Sequence, residues 1–374
     1  MTDNYQLTET GFTVVKALIL DEVGGQFRTA DVDFSAPIGR EILVDVKASG
    51  LCQSDRTASS MGGFPLPAVL GHEVSGLVAA VGPDVQGMAV GDHVVACLQS
   101  HCGTCTHCMA GDINMCTNPE FVRRADSEPP RVTLEGEPVT ALVDLGGFAE
   151  QVLVHENNLV RLDQSIPHEI ACVLGCGILA GAGAVLNAAK VHEGATVAVY
   201  GCGGLGLAAI QAAVLAGASQ IIAVDVTGDK LASALEIGAT DTINSAETDP
   251  VASIRELVGG ADFVFDFVGR AEVTKQAYES VGRAGELCII GLTKPGATLE
   301  IAIDAQAVWN QVRIRPVFNG STNFLRDVPK FVGLYHEGRF NLDNVVSRTI
   351  SLEEVNDAYA SMHDHVGRTV VTFP

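Results

Sequence analysis

The sequence has few basic and few aromatic side chains. Lysine and arginine number 23 against 45 aspartates and glutamates, so the formal net charge is −22, and only 5 % of residues are aromatic. Such an acidic chain repels nucleic-acid phosphates and anionic membranes, and it has few rings on which bases could stack. We therefore expect neither a nucleic-acid partner nor a membrane partner.

The sequence also lacks a charged-then-apolar leader and an uninterrupted apolar run of about 18 residues. We expect a cytoplasmic protein. Ten cysteines in a long leaderless chain favour metal binding over disulfides. The length of 374 residues allows two domains, and a hydrophobic fraction of 47 % is ordinary for a globular enzyme with a large core.

A glycine-rich stretch lies between two apolar runs in the middle of the chain. Ala195–Tyr200 is followed by Gly201-Cys-Gly-Gly-Leu-Gly206, and Ile221–Val224 ends at Asp225. This order predicts a strand, a tight turn, a helix and a second strand, which is the dinucleotide-binding pattern. The helix N-terminus would face the pyrophosphate, and the carboxylate of Asp225 would accept the ribose hydroxyls. Because it would repel a 2′-phosphate, we expect NAD rather than NADP.

Four metal-ligand side chains, Cys52, His72, Glu73 and Cys176, are far apart in sequence but could converge where the two domains meet. Two thiolates and one imidazole leave a fourth position on tetrahedral zinc for water or substrate, which is typical of a catalytic site. Taken singly, each is more often a buried structural residue. Their combination with a dinucleotide fold favours the metal.

A second cysteine cluster reads Cys102-Gly-Thr-Cys105-Thr-His-Cys108, with Cys116 eight residues later. Four thiolates in one loop can close a tetrahedral zinc site, leaving no position for water. The alternative of two disulfides is disfavoured by the missing leader. We therefore expect two zinc ions per chain, one catalytic and one structural.

The remaining pattern predicts an α/β fold with a doubly wound parallel sheet and a β-rich domain. Short alternating runs dominate before residue 162, whereas strands and helices alternate from Ala195 to Val317. Residues 118–139 are polar and without periodicity, and we expect a long excursion there. Helical patterns at Val328–His336 and Leu352–Met362 precede a final strand at Arg368–Phe373, and this tail is expected to rejoin the first domain.

The order of these motifs resembles the zinc-dependent medium-chain alcohol dehydrogenases over nearly the whole chain. The residues that carry it are Cys52, Ser54, Asp55, His72-Glu73, the four-cysteine loop, Leu174-Gly-Cys176-Gly, the glycine turn, Val268-Gly-Arg270 and Gly367-Arg368-Thr369. The excursion is similar to that of the longer dimeric members, liver-type and nicotinoprotein enzymes included. The resemblance implies a GroES-like catalytic domain at 1–178 together with 321–374, a Rossmann domain at 179–320, and a homodimer.

The resemblance also implies roles for particular residues. Cys52, His72 and Cys176 would bind the catalytic zinc, and Ser54 would accept the proton of the alcohol. Asp55 would orient His72, and Glu73 would pair with Arg368. The implied cofactor contacts are Gly201, Gly203, Gly204, Leu205, Gly206, Asp225, Lys230, Arg270, Leu292 and Arg368. Apolar Leu98, Leu142 and Val143 would line the substrate pocket and favour a primary, medium or bulky alcohol, aryl or allylic included, or its aldehyde.

Three positions depart from the family pattern. Gln53 stands where relatives often have a cation that touches the pyrophosphate, and Thr57 stands where a histidine often ends the proton relay. Ala180 replaces a threonine that contacts the nicotinamide in many relatives. A threonine hydroxyl passes a proton but is a poor base near pH 7.

Two alternative functions remain. Thiol-adduct formaldehyde dehydrogenases of the same family have acidic residues near the position of Met61-Gly62-Gly63 and a cation where this chain has Glu120. A non-catalytic zinc- and NAD-binding protein would have a broken zinc triad or relay. Cys52, Ser54, His72 and Cys176 are all present, which favours an NAD-dependent dehydrogenase that transfers hydride reversibly between alcohol and aldehyde.

Overall fold

The structure is a computed structural model that describes residues 12–362 and 365–374. Its strands form from runs that are rich in β-branched residues or in which apolar and polar residues alternate. Because successive side chains of a strand point to opposite faces, this alternation turns one face of the strand toward a core. In chain order they are β1 Phe12–Leu20, β2 Arg28–Ser35, β3 Glu41–Gly50, β4 Ala68–Val69, β5 Glu73–Val81, β6 His93–Ala96, β7 Val132–Leu134, β8 Glu137–Pro138, β9 Thr140–Ala141, β10 Gln151–His155, β11 Leu159–Arg161, β12 Thr196–Tyr200, β13 Gln220–Asp225, β14 Asp241–Asn244, β15 Ala261–Asp266, β16 Val281–Ile289, β17 Arg313–Pro316, β18 Val346–Ile350 and β19 Arg368–Thr372.

The helices are mostly short in the first half of the chain and alternate with strands in the second half. They are α1 Gln53–Met61, α2 Thr106–Ala110, α3 His168–Val173, α4 Leu179–Gly183, α5 Gly204–Leu215, α6 Gly228–Glu236, α7 Pro250–Val258, α8 Ala271–Glu279, α9 Ala305–Asn310, α10 Phe324–His336 and α11 Val355–Ala360. Two π-helical turns, Leu174–Ile178 and Ala184–Ala189, follow α3 and α4.

Unit 1 contains the described residues of Met1–Cys176 together with Asn323–Val332 and Leu342–Pro374. Its sheets are β8-β7-β2-β1-β4-β9 and β11-β6-β5-β3-β19-β18, and β10 also pairs with β3. Strand β3 pairs antiparallel with β5, β10 and β19. The C-terminal strand β19 therefore completes the sheet that presents the end of β3, where Cys52 follows.

Unit 2 contains Gly177–Thr322 and Gly333–Asn341. Its six strands are all parallel and follow the order β14-β13-β12-β15-β16-β17. The amide of Gln211 in α5 holds the separate segment by bonds to Asn341, at 3.0 Å to its carbonyl and 2.7 Å from its N–H. This is the doubly wound sheet that the alternation predicted, with the carboxyl ends of β12 and β13 side by side.

Two stretches differ in detail from the sequence-based expectation. The polar excursion contains the strand pair β7–β8, and β7 also extends the sheet by pairing with β2. Helix α10 begins at Phe324 and contains Pro329, so its start lies four residues before the predicted one. The carboxylate of Asp327 accepts the Asn323 N–H at 3.0 Å, which stabilises this earlier start.

The helical stretch His168–Ala189 is long and apolar enough to cross a bilayer by length and composition, with a mean hydropathy of 2.0. However, 89 % of its most apolar window is buried inside the structure. A helix buried in a protein core meets the same criteria of length and composition. The small apolar residues of this one, Ala and Gly among them, allow close packing on all sides.

Candidate functional site

Cys52 lies immediately before α1, at the point where β3 has ended. Its extended backbone, φ −107° and ψ 144°, turns the chain from strand into helix. The first turn of α1 then places Ser54 beside it, and the Ser54 hydroxyl donates to Cys52 Sγ at 3.1 Å and lies 3.4 Å from His72 Nε2. One helical turn therefore supplies both a thiol and a hydroxyl to the same spot.

His72 is held in a fixed orientation by Asp55. The imidazole Nδ1 lies 3.0 Å from the Asp55 carboxylate, which also accepts the Gly71 N–H at 3.1 Å. Gly71 has φ +93°, and a Cβ there would lie 2.7 Å from the backbone of Phe148, so glycine is required. With Nδ1 engaged, Nε2 is the nitrogen left to face a metal.

Cys176 reaches the same cluster from the π-helical turn Leu174–Ile178. Its sulfur lies 3.3 Å from His72 Nε2. The preceding Gly175 packs so tightly on β6 that a Cβ would lie 2.0 Å from the Ala96 carbonyl oxygen. The structure thus brings together the ligand atoms of Cys52, His72, Glu73 and Cys176, all within 4.8 Å of one another and all buried.

Glu73 is paired with Arg368, whose guanidinium donates to Glu73 Oε1 at 2.8 Å and to Cys52 Sγ at 3.6 Å. The other oxygen, Glu73 Oε2, is buried and has no hydrogen-bond partner among the residues that the structure describes. Arg368, a predicted cofactor contact, is only 7 % exposed and lies in this cluster. Gly50 makes room for the pair, because a Cβ there would lie 2.2 Å from Glu73 Oε2.

The buried cluster has an excess of acidic groups. A hydrogen bond from Cys176, together with the charges of Arg368 and His72, holds the pKa of Cys52 well below its usual value. Burial raises the pKa of Glu73 to about 7 against the opposing charge of Arg368. Burial disfavours the imidazolium of His72, but Asp55 and Cys52 outweigh it and raise the pKa of His72 well above its usual value. The cluster contains two thiols, two carboxyls and one imidazole but only one guanidinium. This combination of groups fits a divalent cation such as zinc.

The second cysteine cluster also forms. The sulfurs of Cys102, Cys105, Cys108 and Cys116 lie within 4.8 Å of one another, and all four are free thiols. Backbone N–H groups surround them: Cys102 N–H donates to Cys116 Sγ and Cys105 N–H to Cys102 Sγ, each at 3.3 Å. Hydrogen bonds from the Cys108 and Thr117 N–H groups lower the pKa of Cys105 to about 5. Such N–H donors stabilise thiolates, which fits a closed four-sulfur metal site.

The glycine turn of unit 2 exposes backbone to a ligand. Gly201 has φ +90°, and a Cβ at Gly206 would lie 1.9 Å from the Gly201 carbonyl oxygen, so both positions require glycine. Within the described part of the chain, a Cβ at Gly203 would meet nothing within 4 Å, and no side chain caps the N-terminus of α5, where Gly204 and Leu205 begin the helix. The unpaired N–H groups of this twelve-residue helix fit an anionic pyrophosphate.

Asp225 ends β13 beside this turn. Its two carboxylate oxygens accept the N–H groups of Cys202 at 2.8 Å and Thr227 at 3.0 Å. Each oxygen keeps a further lone pair for a ribose hydroxyl. The contact with Cys202 was not predicted, because a tertiary bond from a backbone N–H has no sequence signal.

The other predicted cofactor and substrate residues are distributed over both units. Lys230 is half-buried on α6, Arg270 is exposed immediately before α8, and Leu292 is 66 % exposed. In unit 1, Leu98 and Leu142 are partly buried against apolar clusters, and Val143 is 38 % exposed. Their contacts with ligands stay predictions.

Sequence reasoning missed a supporting residue beneath the cluster. Tyr359 is buried, and its hydroxyl donates to the Cys52 carbonyl at 3.5 Å. Its ring stacks on Phe27 with centroids 6.0 Å apart and meets Phe148 edge-on at 6.3 Å. An aromatic residue in an amphipathic helix is an ordinary core signal, so nothing in the sequence linked it to Cys52.

Known proteins resemble this chain over almost its whole length. Residues 39–164 match the family model described as alcohol dehydrogenase GroES-like domain, and residues 204–337 match that of zinc-binding dehydrogenase. The alcohol dehydrogenase class-3 of Cereibacter sphaeroides is 33 % identical, with 96 % of this chain and 99 % of that protein aligned. The S-(hydroxymethyl)glutathione dehydrogenase of Paracoccus denitrificans is 32 % identical, over 93 % and 96 % respectively.

Solved structures give the same result. An alcohol dehydrogenase zinc-binding domain protein from Burkholderia ambifaria superposes with a TM-score of 0.91 at 36 % identity, covering 97 % of this chain and 100 % of that one. The benzyl alcohol dehydrogenase of Acinetobacter calcoaceticus gives 0.89 at 34 % identity, with the same coverage. A putative zinc-binding dehydrogenase from Sinorhizobium meliloti, bound to NADP, gives 0.77 at 26 %, covering 96 % and 100 %.

Proposed function

The chain belongs to the zinc-dependent medium-chain alcohol dehydrogenases, and from this premise we propose that it interconverts primary apolar alcohols, aryl or allylic ones included, and their aldehydes with NAD. The observation that carries the proposal is the convergence of Cys52, His72 and Cys176 around one buried point, with Ser54 beside them. Cys52, His72 and Cys176 would hold a zinc ion, and three protein ligands would leave it accessible to the substrate.

We propose that these three residues hold the catalytic zinc and that Cys102, Cys105, Cys108 and Cys116 hold a structural one. Zinc at the first site supplies a positive charge that lowers the pKa of a bound hydroxyl group toward neutrality. Asp55 keeps the imidazole of His72 oriented, and Arg368 holds the carboxylate of Glu73. The protein therefore fixes the positions of the metal-binding atoms in a buried site that excludes water.

Ser54 is the residue that we assign to proton transfer. Its hydroxyl lies next to two proposed ligands and within the first turn of α1, so it can accept the alcohol proton and pass it on. Thr57, three residues further, lacks a group that titrates near neutral pH. We propose that the proton leaves through ribose hydroxyls and water rather than through a terminal base.

Cofactor choice rests on Asp225. A carboxylate beside the glycine turn attracts ribose hydroxyls and repels a 2′-phosphate, so NAD is favoured over NADP. The unpaired N–H groups at the start of α5 would bind the pyrophosphate, and the nicotinamide supplies a hydride acceptor. Lys230, Arg270, Leu292 and Arg368 are proposed as further contacts.

The substrate class follows from apolar side chains at Leu98, Leu142 and Val143. They offer no hydrogen-bond partner for a charged or polyhydroxylated substrate, so a bulky apolar alcohol fits them best. The structural relative named benzyl alcohol dehydrogenase supports the aryl choice.

A second candidate is the oxidation of a thiol adduct of formaldehyde, because a relative carries the name S-(hydroxymethyl)glutathione dehydrogenase. Members of the family with that activity have acidic residues near the position of Met61-Gly62-Gly63 and a cation at the position of Glu120. This chain is neutral at the first place and acidic at the second, so it lacks both features. We therefore rank it below the alcohol activity.

We further propose a cytoplasmic homodimer. Strand β17 forms an edge of the parallel sheet and is exposed along its length, and Ile303 and Trp309 are 91 % and 63 % exposed nearby in sequence. Exposed apolar side chains and an open strand edge both favour self-association.

A substrate panel on the zinc-loaded enzyme tests the main proposal. Ethanol, hexanol, benzyl alcohol, cinnamyl alcohol and S-(hydroxymethyl)glutathione would each be assayed with NAD, NADP and a dye acceptor, and the aldehydes in reverse. Higher kcat/KM for aryl or allylic alcohols than for ethanol, with NAD preferred, supports it. A strong preference for the glutathione adduct would reverse the ranking of the two candidates.

A further inference from the structure

The chain makes a strained turn at Leu142–Leu145. Val143 has φ 50° and ψ 34°, and Asp144 has φ 62°. The Leu145 N–H donates to the Leu142 carbonyl at 3.1 Å, which closes a β-turn with positive φ at both central residues, as in type I′. Such turns favour Asn-Gly or Asp-Gly, and a β-branched residue at positive φ is an outlier. Val143 is therefore held in a conformation that its own side chain disfavours.

The carboxylate of Asp144 anchors this turn at both oxygens. Arg123 Nε donates to Oδ1 at 2.8 Å, and the Ser100 hydroxyl donates to Oδ2 at 3.2 Å. The Asp144 side chain is only 14 % exposed, whereas that of Arg123 is 59 % exposed, so the bond to Ser100 is the better shielded of the two. Ser100 is itself fixed, since its hydroxyl accepts from the amide of buried Asn158 at 3.1 Å.

The two segments that this anchor joins both lead to the metal cluster. Three residues after Asp144, the Gly147 N–H donates to the Gly71 carbonyl at 2.7 Å, next to His72. The Ser100 N–H donates to the carbonyl of Leu98 at 3.0 Å. Leu98 in turn follows β6, the strand on which Gly175 packs beside Cys176. The bond between Ser100 and Asp144 thus ties the Leu98 segment to the Val143 segment.

We propose that Asp144 is a specificity-determining positioning residue. By holding the left-handed turn, it fixes the position of Val143 relative to Leu98 and so sets the width available to an apolar substrate next to the metal ligands. The inference rests on the proposed alcohol dehydrogenase activity and deepens it. Backbone strain of this kind persists where the surrounding structure imposes it, and here the imposing groups are Arg123 and Ser100.

The test compares kcat and KM for benzyl alcohol and ethanol in zinc-loaded parent, Asp144→Ala and Asp144→Asn. Alanine loses both anchors and disfavours positive φ. We expect it to lower the ratio of kcat/KM for benzyl alcohol over ethanol about ten-fold, mainly through KM for benzyl alcohol. Asparagine tolerates the left-handed region and still accepts from Ser100. It should keep the ratio within about three-fold of the parent.

Ser100→Ala provides a milder second test, since it removes one anchor and leaves the ion pair with Arg123. It should shift the ratio in the same direction as Asp144→Ala, even if the latter folds poorly. Glu337→Gln is the matched control, because it breaks the Arg339–Glu337 ion pair at 3.0 Å between side chains that are 60 % and 58 % exposed. It should leave the ratio unchanged.

Two results would overturn the inference. One is an unchanged ratio in both Asp144→Ala and Ser100→Ala. The other is an equal loss of kcat/KM for both alcohols with a lower unfolding midpoint, which would mean a general structural role. A parent enzyme that oxidises no primary alcohol would instead refute the proposed function, and this inference with it.

Discussion

Three buried residues of the metal cluster each have a partner that holds them in place. Asp55 holds His72, Arg368 holds Glu73, and Tyr359 supports the backbone of Cys52. A buried imidazole or carboxylate without such a partner would lose more in desolvation than it gains. The site is therefore a network in which removing one partner leaves another group unpaired.

The first prediction concerns Ser54. Ser54→Ala should lower alcohol oxidation by about 10²–10⁴-fold, the range for loss of a positioned proton-transfer group. Ser60→Ala is the control, because this exposed serine lies on the same helix and bonds only to the Thr57 carbonyl among the contacts of the described residues. The measurement is the rate of hydride transfer in a single turnover, and a rate insensitive to Ser54→Ala would exclude the relay.

Variants at Thr57 test the route by which the proton leaves. If it leaves through ribose hydroxyls and water, Thr57→Val should change the same rate little. Thr57→His should add a group titrating near about 6.5 and a pH dependence in that range. A large loss in Thr57→Val would instead make this hydroxyl a required link.

The second prediction concerns Asp225. Asp225→Gly should raise kcat/KM for NADP and lower it for NAD by about ten-fold or more, since a hydrogen bond to a charged group is lost. Asp225→Asn is the matched variant, because it keeps an oxygen that can accept the Cys202 N–H but removes the charge. Efficient use of NADP by the unmodified enzyme would contradict the role given to this carboxylate.

The sequence predicted the position of some of these residues and not of others. The ligand types and their order predicted which cysteines and histidine meet, because each motif carries its chemistry in a fixed spacing. The left-handed turn at Val143–Asp144 was not predicted, since Val-Asp is not a sequence typical of such turns. It exists through Arg123 and Ser100, which lie 21 and 44 residues away from Asp144.

Among the elements, the polar excursion after Cys116 is anchored by buried charge in addition to the apolar packing of Val132 and Val139. Arg124 donates to Glu41 Oε2 at 2.5 Å, and Arg131 donates to Glu41 Oε1 at 2.8 Å. Glu41, the first residue of β3, is 4 % exposed. The absence of apolar periodicity made this segment look structureless, although β7 joins the sheet through β2.

The third prediction concerns the four-cysteine loop as an element. Cys105→Ala should remove one of two zinc ions and lower the free energy of unfolding by about 2 kcal/mol or more, because metal binding is coupled to folding of the loop. Cys288→Ala, at a buried thiol in β16, is the control and should keep both ions. Elemental analysis and chemical denaturation give the readouts. One zinc or none in active parent enzyme would contradict the assignment.

The fourth prediction concerns a histidine pair that links β5, β6 and α3. The Ser75 hydroxyl lies 2.8 Å from His93 Nε2 and 3.0 Å from His168 Nδ1, and the two rings are 4.1 Å apart. Burial is the main cause that lowers the pKa of His93 to about 4, and the charge of the neighbouring His168 lowers it further. Between about pH 6.5 and 4 the unfolded chain therefore binds a proton that the folded chain does not, so stability is full above about 6.5 and falls as the pH falls.

This loss amounts to at most about 1.4 kcal/mol per pH unit for His93. His93→Gln should flatten the fall in unfolding free energy between pH 7 and pH 4.5. His192→Gln, at an exposed histidine, should not. Zinc release in acid is common to all three proteins, and only the difference between variants reports on His93. Parallel pH curves for parent and His93→Gln would rule out this contribution.

At the scale of the whole molecule, the sequence predicted the doubly wound sheet because alternating strand and helix patterns leave few alternatives. It did not predict that Gly333–Asn341 groups with unit 2 while its flanks group with unit 1. Hydrogen bonds between Gln211 and Asn341, residues 130 positions apart, link this segment to unit 2. A net charge of −22 disfavours association in general, so any homodimer needs a specific apolar contact.

The last prediction is that such a contact exists at the edge of unit 2. Ile303 is 91 % exposed, and β17 at the sheet edge is exposed at all four residues. Burying these groups against a second copy would remove apolar surface from water and pair the open backbone groups. The chain of 39.1 kDa should therefore elute at about twice that mass, and Ile303→Lys should shift it toward the monomer. Val90→Lys, at a 66 % exposed valine of unit 1, should stay dimeric. Light scattering across a dilution series measures the mass directly, and a parent that is monomeric at micromolar concentration would refute the dimer.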